Sequence, residues 1–171
     1  MSLAEKYPVR YTVEDWKKWE GDWELVEGVP YALASPKPKN QIFLVKIASF
    51  LTNVFKDCKN VNVAVELDWF ISSDTVVKPD LLVFCGEIPD RLTDVPDLIV
   101  EILSPSTKII DEGLKFELYQ LNKVKYYIIF DLEENIFKIY EHDGKQFLEK
   151  KDDKFVICGC NFSLNFNQIF G

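Results

Sequence analysis

The stretch Pro96-Asp97-Leu98-Ile99-Val100-Glu101-Ile102-Leu103 constrains this chain more than any other. Side chains alternate across a strand, so Leu98, Val100 and Ile102 fill one face while Ile99, Glu101 and Leu103 share the other. A strand apolar on both faces is a central strand, covered by helices on each side. That placement leaves Glu101 out of character. A buried carboxylate costs several kcal/mol unless it is paired, protonated or bound to a cation. A salt bridge to a nearby lysine, or a wet sheet end, is the plain alternative to a functional role.

The rest of the chain is expected to build around that strand. Thr12 with Asp15 signals a helix start, giving a short helix over Val13 to Trp19 that Gly21 ends. Trp23 to Glu27, Gly28, and Val29 to Ala34 predict a β-hairpin. Pro36-Lys37-Pro38-Lys39-Asn40 is a loop. Phe43, Ile47, Phe50, Leu51 and Val54 recur at helical spacing within Gln41 to Phe55. Val61 to Ile71 and Val76 to Cys85 are β-rich, flank the turn Ser72-Ser73-Asp74, and are expected to pair antiparallel. Ser104-Pro105-Ser106-Thr107 starts a helix whose stripe is Ile110, Leu114, Leu118 and Leu121. Tyr126 to Asp131 is another buried strand. Ile136 to Tyr140, Gln146 to Glu149 and Phe155 to Cys158 resemble a terminal meander. The order predicts an α/β (α+β) chain around a mixed β-sheet, decorated with β-structure at both ends.

Composition bounds the functional classes. The 171 residues suit a single domain, 1–171, and 47% hydrophobic with 28% charged residues argue against disorder. No apolar run is long enough to span a bilayer, and Met1-Ser2-Leu3-Ala4-Glu5-Lys6 lacks the apolar core of a secretory signal. A cytoplasmic location with no membrane partner is therefore expected. The net charge of -8 counts against a general nucleic-acid-coating protein. Cys58, Cys85, Cys158 and Cys160 form no C-x-x-C and are expected to be reduced thiols. With His142 the single histidine, acid–base chemistry falls to carboxylates, lysines or bound water.

Asp80 repeats the anomaly of Glu101. It stands in Val76-Val77-Lys78-Pro79-Asp80-Leu81-Leu82-Val83-Phe84, just after a proline that cannot donate to a ladder. A strand-start cap is its plain alternative. Two neighbouring buried acids repel, and a divalent cation removes that penalty. Oxygen ligands suit Mg2+ or Mn2+. Lys115 lies four residues beyond Asp111, at the edge of the apolar stripe, from where it can reach back over the sheet. Its plain alternative is a solvated i,i+4 pair.

These residues sit in recognisable company. Trp23-Glu24-Leu25-Val26-Glu27-Gly28, Lys78-Pro79-Asp80-Leu81 and the string Glu101-Ile102-Leu103-Ser104-Pro105-Ser106-Thr107 resemble the Uma-two-type family of the PD-(D/E)XK nuclease superfamily. Asp111, Lys115, Tyr119 and Val124 to Asp131 continue the resemblance, which runs from about Thr12 to Tyr140. It implies a restriction-endonuclease-like core. It also implies that Asp80 is the Pro-Asp acid, Glu101 the second metal-binding acid, and Glu24 an acid from the N-terminal region. Leu103 stands where the superfamily pattern has its lysine, and Lys115 matches the position to which related families have moved it.

The reading that follows is a Mg2+-dependent endonuclease of nucleic acid, DNA favoured. Asp80, Glu101 and Lys115 are expected to converge on one cleft with Glu24 at its rim. Lys37, Lys39 and Ser104 are candidate substrate contacts. The alternative is a non-catalytic nuclease-fold protein acting by binding, which the acidic balance favours. A glycoside hydrolase is weaker, because Trp16, Trp19 and Trp23 suit a small core or interface better than a sugar-site rim. The 14% aromatic content and the short hairpins predict a homodimer.

Overall fold

Residues 1–170 are described by a computed structural model. In chain order the elements are α1 (Leu3–Lys6), α2 (Val13–Trp16), β1 (Trp23–Val26), β2 (Val29–Ala32), α3 (Pro38–Val54), β3 (Val61–Val65), β4 (Trp69–Ser72) and β5 (Thr75–Val77). Then come β6 (Leu81–Cys85), β7 (Leu98–Ile102), a π-helical turn (Ile110–Leu114) running into α4 (Lys115–Leu121), and β8 (Tyr126–Asp131). The chain finishes with β9 (Ile136–His142), β10 (Phe147–Glu149), β11 (Lys154–Ile157), β12 (Cys160–Ser163) and a 3-10 turn (Phe166–Gln168). This is the α+β architecture expected from the sequence.

The backbone gathers into two units. The first comprises Met1–Ser35, Asp68–Lys78 and Asp90–Asp94. Its four strands are ordered β2-β1-β5-β4, around a small core of Val13, Leu25 and Val76 with Trp16, Trp19 and Phe70 packed against it. Thr12 and Asp15 close a reciprocal capping box at α2. The β1–β2 turn places Glu27 and Gly28 both at positive φ, the geometry a two-residue hairpin needs. A Cβ on Gly28 would stand 3.0 Å from Arg10 and 3.1 Å from the Tyr11 carbonyl, so a side chain there would be both strained and crowded.

The second unit carries a six-stranded mixed sheet ordered β10-β9-β8-β7-β6-β3. Only β7 and β8 pair in parallel, joined by the crossover through the π turn and α4. Every residue of β7 is buried, as a central strand requires. One face of the sheet (Leu81, Val83, Leu98, Val100, Ile102, Tyr126, Ile128, Phe130) packs on Phe43, Leu44, Ile47 and Leu51 of α3 and on Phe155, Ile157 and Phe166. The other face meets α4, where Tyr119 stacks edge-on against Tyr127 at 5.0 Å.

Four details depart from the sequence reading. Val61–Ile71 and Val76–Cys85 pair antiparallel as expected, but not within one sheet. Glu66 at positive φ and Pro79 break each in two. The halves sort into different sheets, β3 with β6 and β4 with β5. The expected meander also divides, since β9 and β10 extend the main sheet while β11 pairs with an unanticipated β12. The helix after Thr107 buries Asp111, Lys115, Leu118 and Tyr119, whereas Leu121 is 73% exposed. Hydrophobicity is a poor guide there, because the buried face carries an ion pair. Finally, the cysteines are not free thiols: Cys58 is bonded to Cys160 and Cys85 to Cys158, with Cα separations of 6.6 and 5.3 Å. The partners lie 102 and 73 residues apart in sequence, so pairing is a tertiary outcome that spacing does not reveal.

Candidate functional site

The antiparallel register of β6 and β7 sets the site. Leu81 opposes Val100, so Asp80, one residue before β6, comes level with Glu101 on the face turned toward α4. The two acids exchange bonds with each other's strand. The Ile102 N–H donates to Asp80 Oδ2 at 2.7 Å, and the Asp80 N–H donates to Glu101 Oε2 at 3.3 Å. Pro79 donates nothing to a ladder at this point, and carboxylates take over where backbone pairing ends.

The helix supplies the positive charge. Lys115 Nζ lies 2.9 Å from Glu101 Oε1 and 3.5 Å from Asp111 Oδ1, and all three side chains are about 5% exposed or less. Tyr119 donates its hydroxyl to the same Glu101 oxygen at 2.8 Å. Asp111, Lys115 and Tyr119 follow one another at intervals of four, so one helical face delivers them all. The π turn contributes too: its wider winding presents the Asp111 carbonyl, which accepts the Tyr127 hydroxyl at 2.8 Å. Burial pushes the Tyr127 hydroxyl well above its ordinary pKa, keeping it a donor.

Three carboxylates therefore share one ammonium. Asp80 absorbs the imbalance: burial, then the Glu101 charge, pushes its carboxyl up to about 8. The half-buried Asp80 is where solvent reaches the cluster. A divalent cation fits this arrangement, because it would relieve the excess negative charge that now holds a proton on Asp80. Ile102 engages Asp80 Oδ2 and Lys115 with Tyr119 engage Glu101 Oε1, so Asp80 Oδ1 and Glu101 Oε2, the latter met by the Asp80 N–H at 3.3 Å, are the oxygens best placed to ligate. Two carboxylates with waters completing the shell is the manner in which Mg2+ is held.

The remaining candidates divide. Glu24 belongs to the first unit, buried on β1, where Oε1 accepts the Lys78 N–H at 2.8 Å. Lys37 is exposed and N-caps α3 without a side-chain bond. Lys39 Nζ donates to the Leu132 carbonyl at 2.7 Å. Asn40 donates to the Leu103 carbonyl at 3.2 Å, which ties the start of α3 to the end of β7, two residues past Glu101. The Ser104 hydroxyl lies 3.0 Å from both Ser106 Oγ and Thr107 Oγ1, inside the turn that leads to the helix. Sequence reasoning left Asp111 and Tyr119 outside the candidate site. The signal for them was the four-residue spacing to Lys115, which reads equally well as a solvated pair.

A protein from Synechocystis sp. described as uncharacterized is 28% identical over 118 residues, covering 64% of this chain. The chain spans 62% of that relative's length. The crystal structure of "a putative nuclease belonging to DUF820" from Anabaena variabilis superposes with a TM-score of 0.71 at 19% identity, covering 86% of this chain and 88% of that one. That likeness establishes a shared fold. The profile of the Uma2 family, described as "Putative restriction endonuclease", matches residues 11–155 and so takes in both Asp80 and Glu101, their strands and the helix that brings Lys115 to them. With most of its length inside that match, the chain belongs to the Uma2 family.

Proposed function

We propose that this chain is a Mg2+-dependent endonuclease that hydrolyses phosphodiester bonds of DNA. The observation that carries the reading is the pairing of Asp80 with Glu101 across adjacent strands, with Lys115 bonded to Glu101. Asp80 and Glu101 would hold the Mg2+ (or Mn2+), and the ion when bound would polarise a phosphodiester oxygen and acidify an attacking water. Lys115 and Tyr119 fix one oxygen of Glu101 and so aim the other. Lys115, shared between two acids, positions Glu101 and offsets charge developing beside it. Glu24 is assigned as the additional acid of the N-terminal region. Lys37, Lys39 and Ser104, near the start of α3 and the end of β7, are assigned to backbone phosphates, with the amide groups of the α3 N-terminus adding to their field.

The reading takes residues 1–171 as one nuclease-like domain, working as a homodimer in the cytoplasm. Among the described residues, no helix is long and apolar enough to cross a membrane. A second reading keeps the fold and the cation but not the cleavage, making the chain a binding module. The -8 balance and the double pairing of Lys115 favour it.

One paired experiment separates the two: thermal melts with and without Mg2+, and nicking of supercoiled plasmid, on wild type, Glu101→Gln and Lys115→Met. The nuclease reading expects a Mg2+-dependent melting shift with nicking in wild type, loss of both in Glu101→Gln, and in Lys115→Met a lower melting baseline that keeps the Mg2+ shift but loses nicking. A Mg2+ shift without nicking by wild type selects the binding module. No Mg2+ shift in wild type ends the metal-site claim.

A further inference from the structure

At the far end of β6 and β7 from Asp80 and Glu101, a second constellation forms from residues distant in sequence. Cys85 ends β6, Asp97 precedes β7, and Cys158 opens the turn between β11 and β12. The sulfurs of Cys85 and Cys158 and a carboxylate oxygen of Asp97 all lie within 4.8 Å of one another. The backbone and side chain of Asp97 are both fixed. Its N–H donates to the Val83 carbonyl at 2.8 Å and its carbonyl accepts the Tyr126 N–H at 2.9 Å. Its Oδ2 accepts the Cys158 N–H at 2.8 Å. Cys158 itself stands at φ 52, a turn position that ordinarily takes glycine or asparagine.

The donor set has a definite chemistry. Two thiolates and a carboxylate suit a borderline-soft divalent ion, and Zn2+ takes such ligands tetrahedrally at about 2.0–2.3 Å. Mg2+ prefers oxygen alone. Cys85 is exposed and Asp97 and Cys158 are half-buried, which leaves solvent access for a fourth ligand. In a reducing compartment the Cys85–Cys158 bond does not persist. A dithiol or phosphine reductant then opens it by two electrons, the reductant is oxidised, and each sulfur takes up a proton.

We propose that Cys85, Cys158 and Asp97 form, in the reduced protein, a three-ligand site for a thiophilic divalent cation, with Zn2+ the fitting ion. Binding displaces the two thiol protons and replaces the sulfur–sulfur link between β6 and the β11–β12 hairpin with a metal link. Phe155 and Ile157 of that hairpin belong to the main core, so the ion would hold in place a part of the fold that reduction releases.

The test uses the full chain reduced with a phosphine and titrated with Co2+, then Zn2+. Expected are one thiolate-bound Co2+ per chain, read from a thiolate-to-cobalt charge-transfer band, its loss on adding Zn2+, and a higher melting temperature of the reduced protein with Zn2+. Cys85→Ser should abolish the band. Asp97→Asn should weaken binding at least about ten-fold. The double variant Cys58→Ser/Cys160→Ser should retain the band, because that pair lies outside the site. Absence of the band in reduced wild type would overturn the proposal. So would its persistence in Cys85→Ser, or circular dichroism showing the reduced chain unfolded both with and without Zn2+. Because the band reports sulfur ligation, failure here and failure of the Asp80–Glu101 reading are distinguishable.

Discussion

Asp80 is the residue whose protonation links the cluster to pH. Its carboxyl is pushed up to about 8, by burial and then by Glu101, against an ordinary value near 4 in the unfolded chain. The folded chain therefore binds the extra proton. The stability this contributes is fully present below about pH 4 and is lost as pH rises through about 8. Without divalent metal, melts of wild type should fall between pH 5 and pH 9, while Asp80→Asn flattens that slope and melts higher at the alkaline end. Mg2+ should restore wild type at pH 8. Parallel pH curves for the two proteins would contradict the assignment. Lys115 gives a second residue-scale test. Removing one partner of a buried ion pair strands the other, so Lys115→Met should destabilise by about 3–5 kcal/mol in denaturant unfolding. Tyr119→Phe removes one bond to a charged acceptor and should cost about 1.5–3 kcal/mol.

At the scale of elements, α3 presents two unlike faces. Ile47 is fully buried against the sheet, whereas Ile42 is 60% exposed. Ile47→Ala should cost about 2–5 kcal/mol by urea titration, and Ile42→Ala should stay within about 0.5 kcal/mol. Equal effects would mean that the face assignment is wrong. The start of the same helix is anchored by Asn40 to the Leu103 carbonyl and by Lys39 to the Leu132 carbonyl. On the proposed nuclease reading, Lys37→Ala should lower affinity for DNA duplex uniformly across sequences and reduce the salt slope by about one, with little change in stability. The helix beyond β7 behaves differently from α3, since its π turn and buried charges serve the acid cluster before they serve the apolar core.

For the whole molecule, the assembly is the open measurement. Val45 on α3 and Val65 on β3 are large apolar side chains left exposed, at 69% and 47%. Sedimentation at micromolar concentration should give a species of twice 19.9 kDa; a monomer alone would end the homodimer reading. The two cysteine pairs also belong to this scale, because each joins segments that only the completed fold brings together.

Elements whose signals are local were legible from the residues alone. Leu98 to Leu103, apolar on both faces, reads as a covered strand, and β7 runs over all but its last residue. Tyr126 to Asp131 was bounded correctly by its apolar run, and Thr12 with Asp15 marked a cap that forms as read. Asp80 and Glu101 stood out because ionisable groups are rare in such strands. How the strands sort into sheets was not legible there. The splitting of Val61–Ile71 and Val76–Cys85 between two sheets, the inward turn of Asp111 and Lys115, and the pairing of four cysteines all rest on long-range packing. Local periodicity reports which residues can be buried. It does not report against what, since that choice is made by the free energy of the whole core, where an ion pair can occupy a face that hydrophobicity alone would give to leucine.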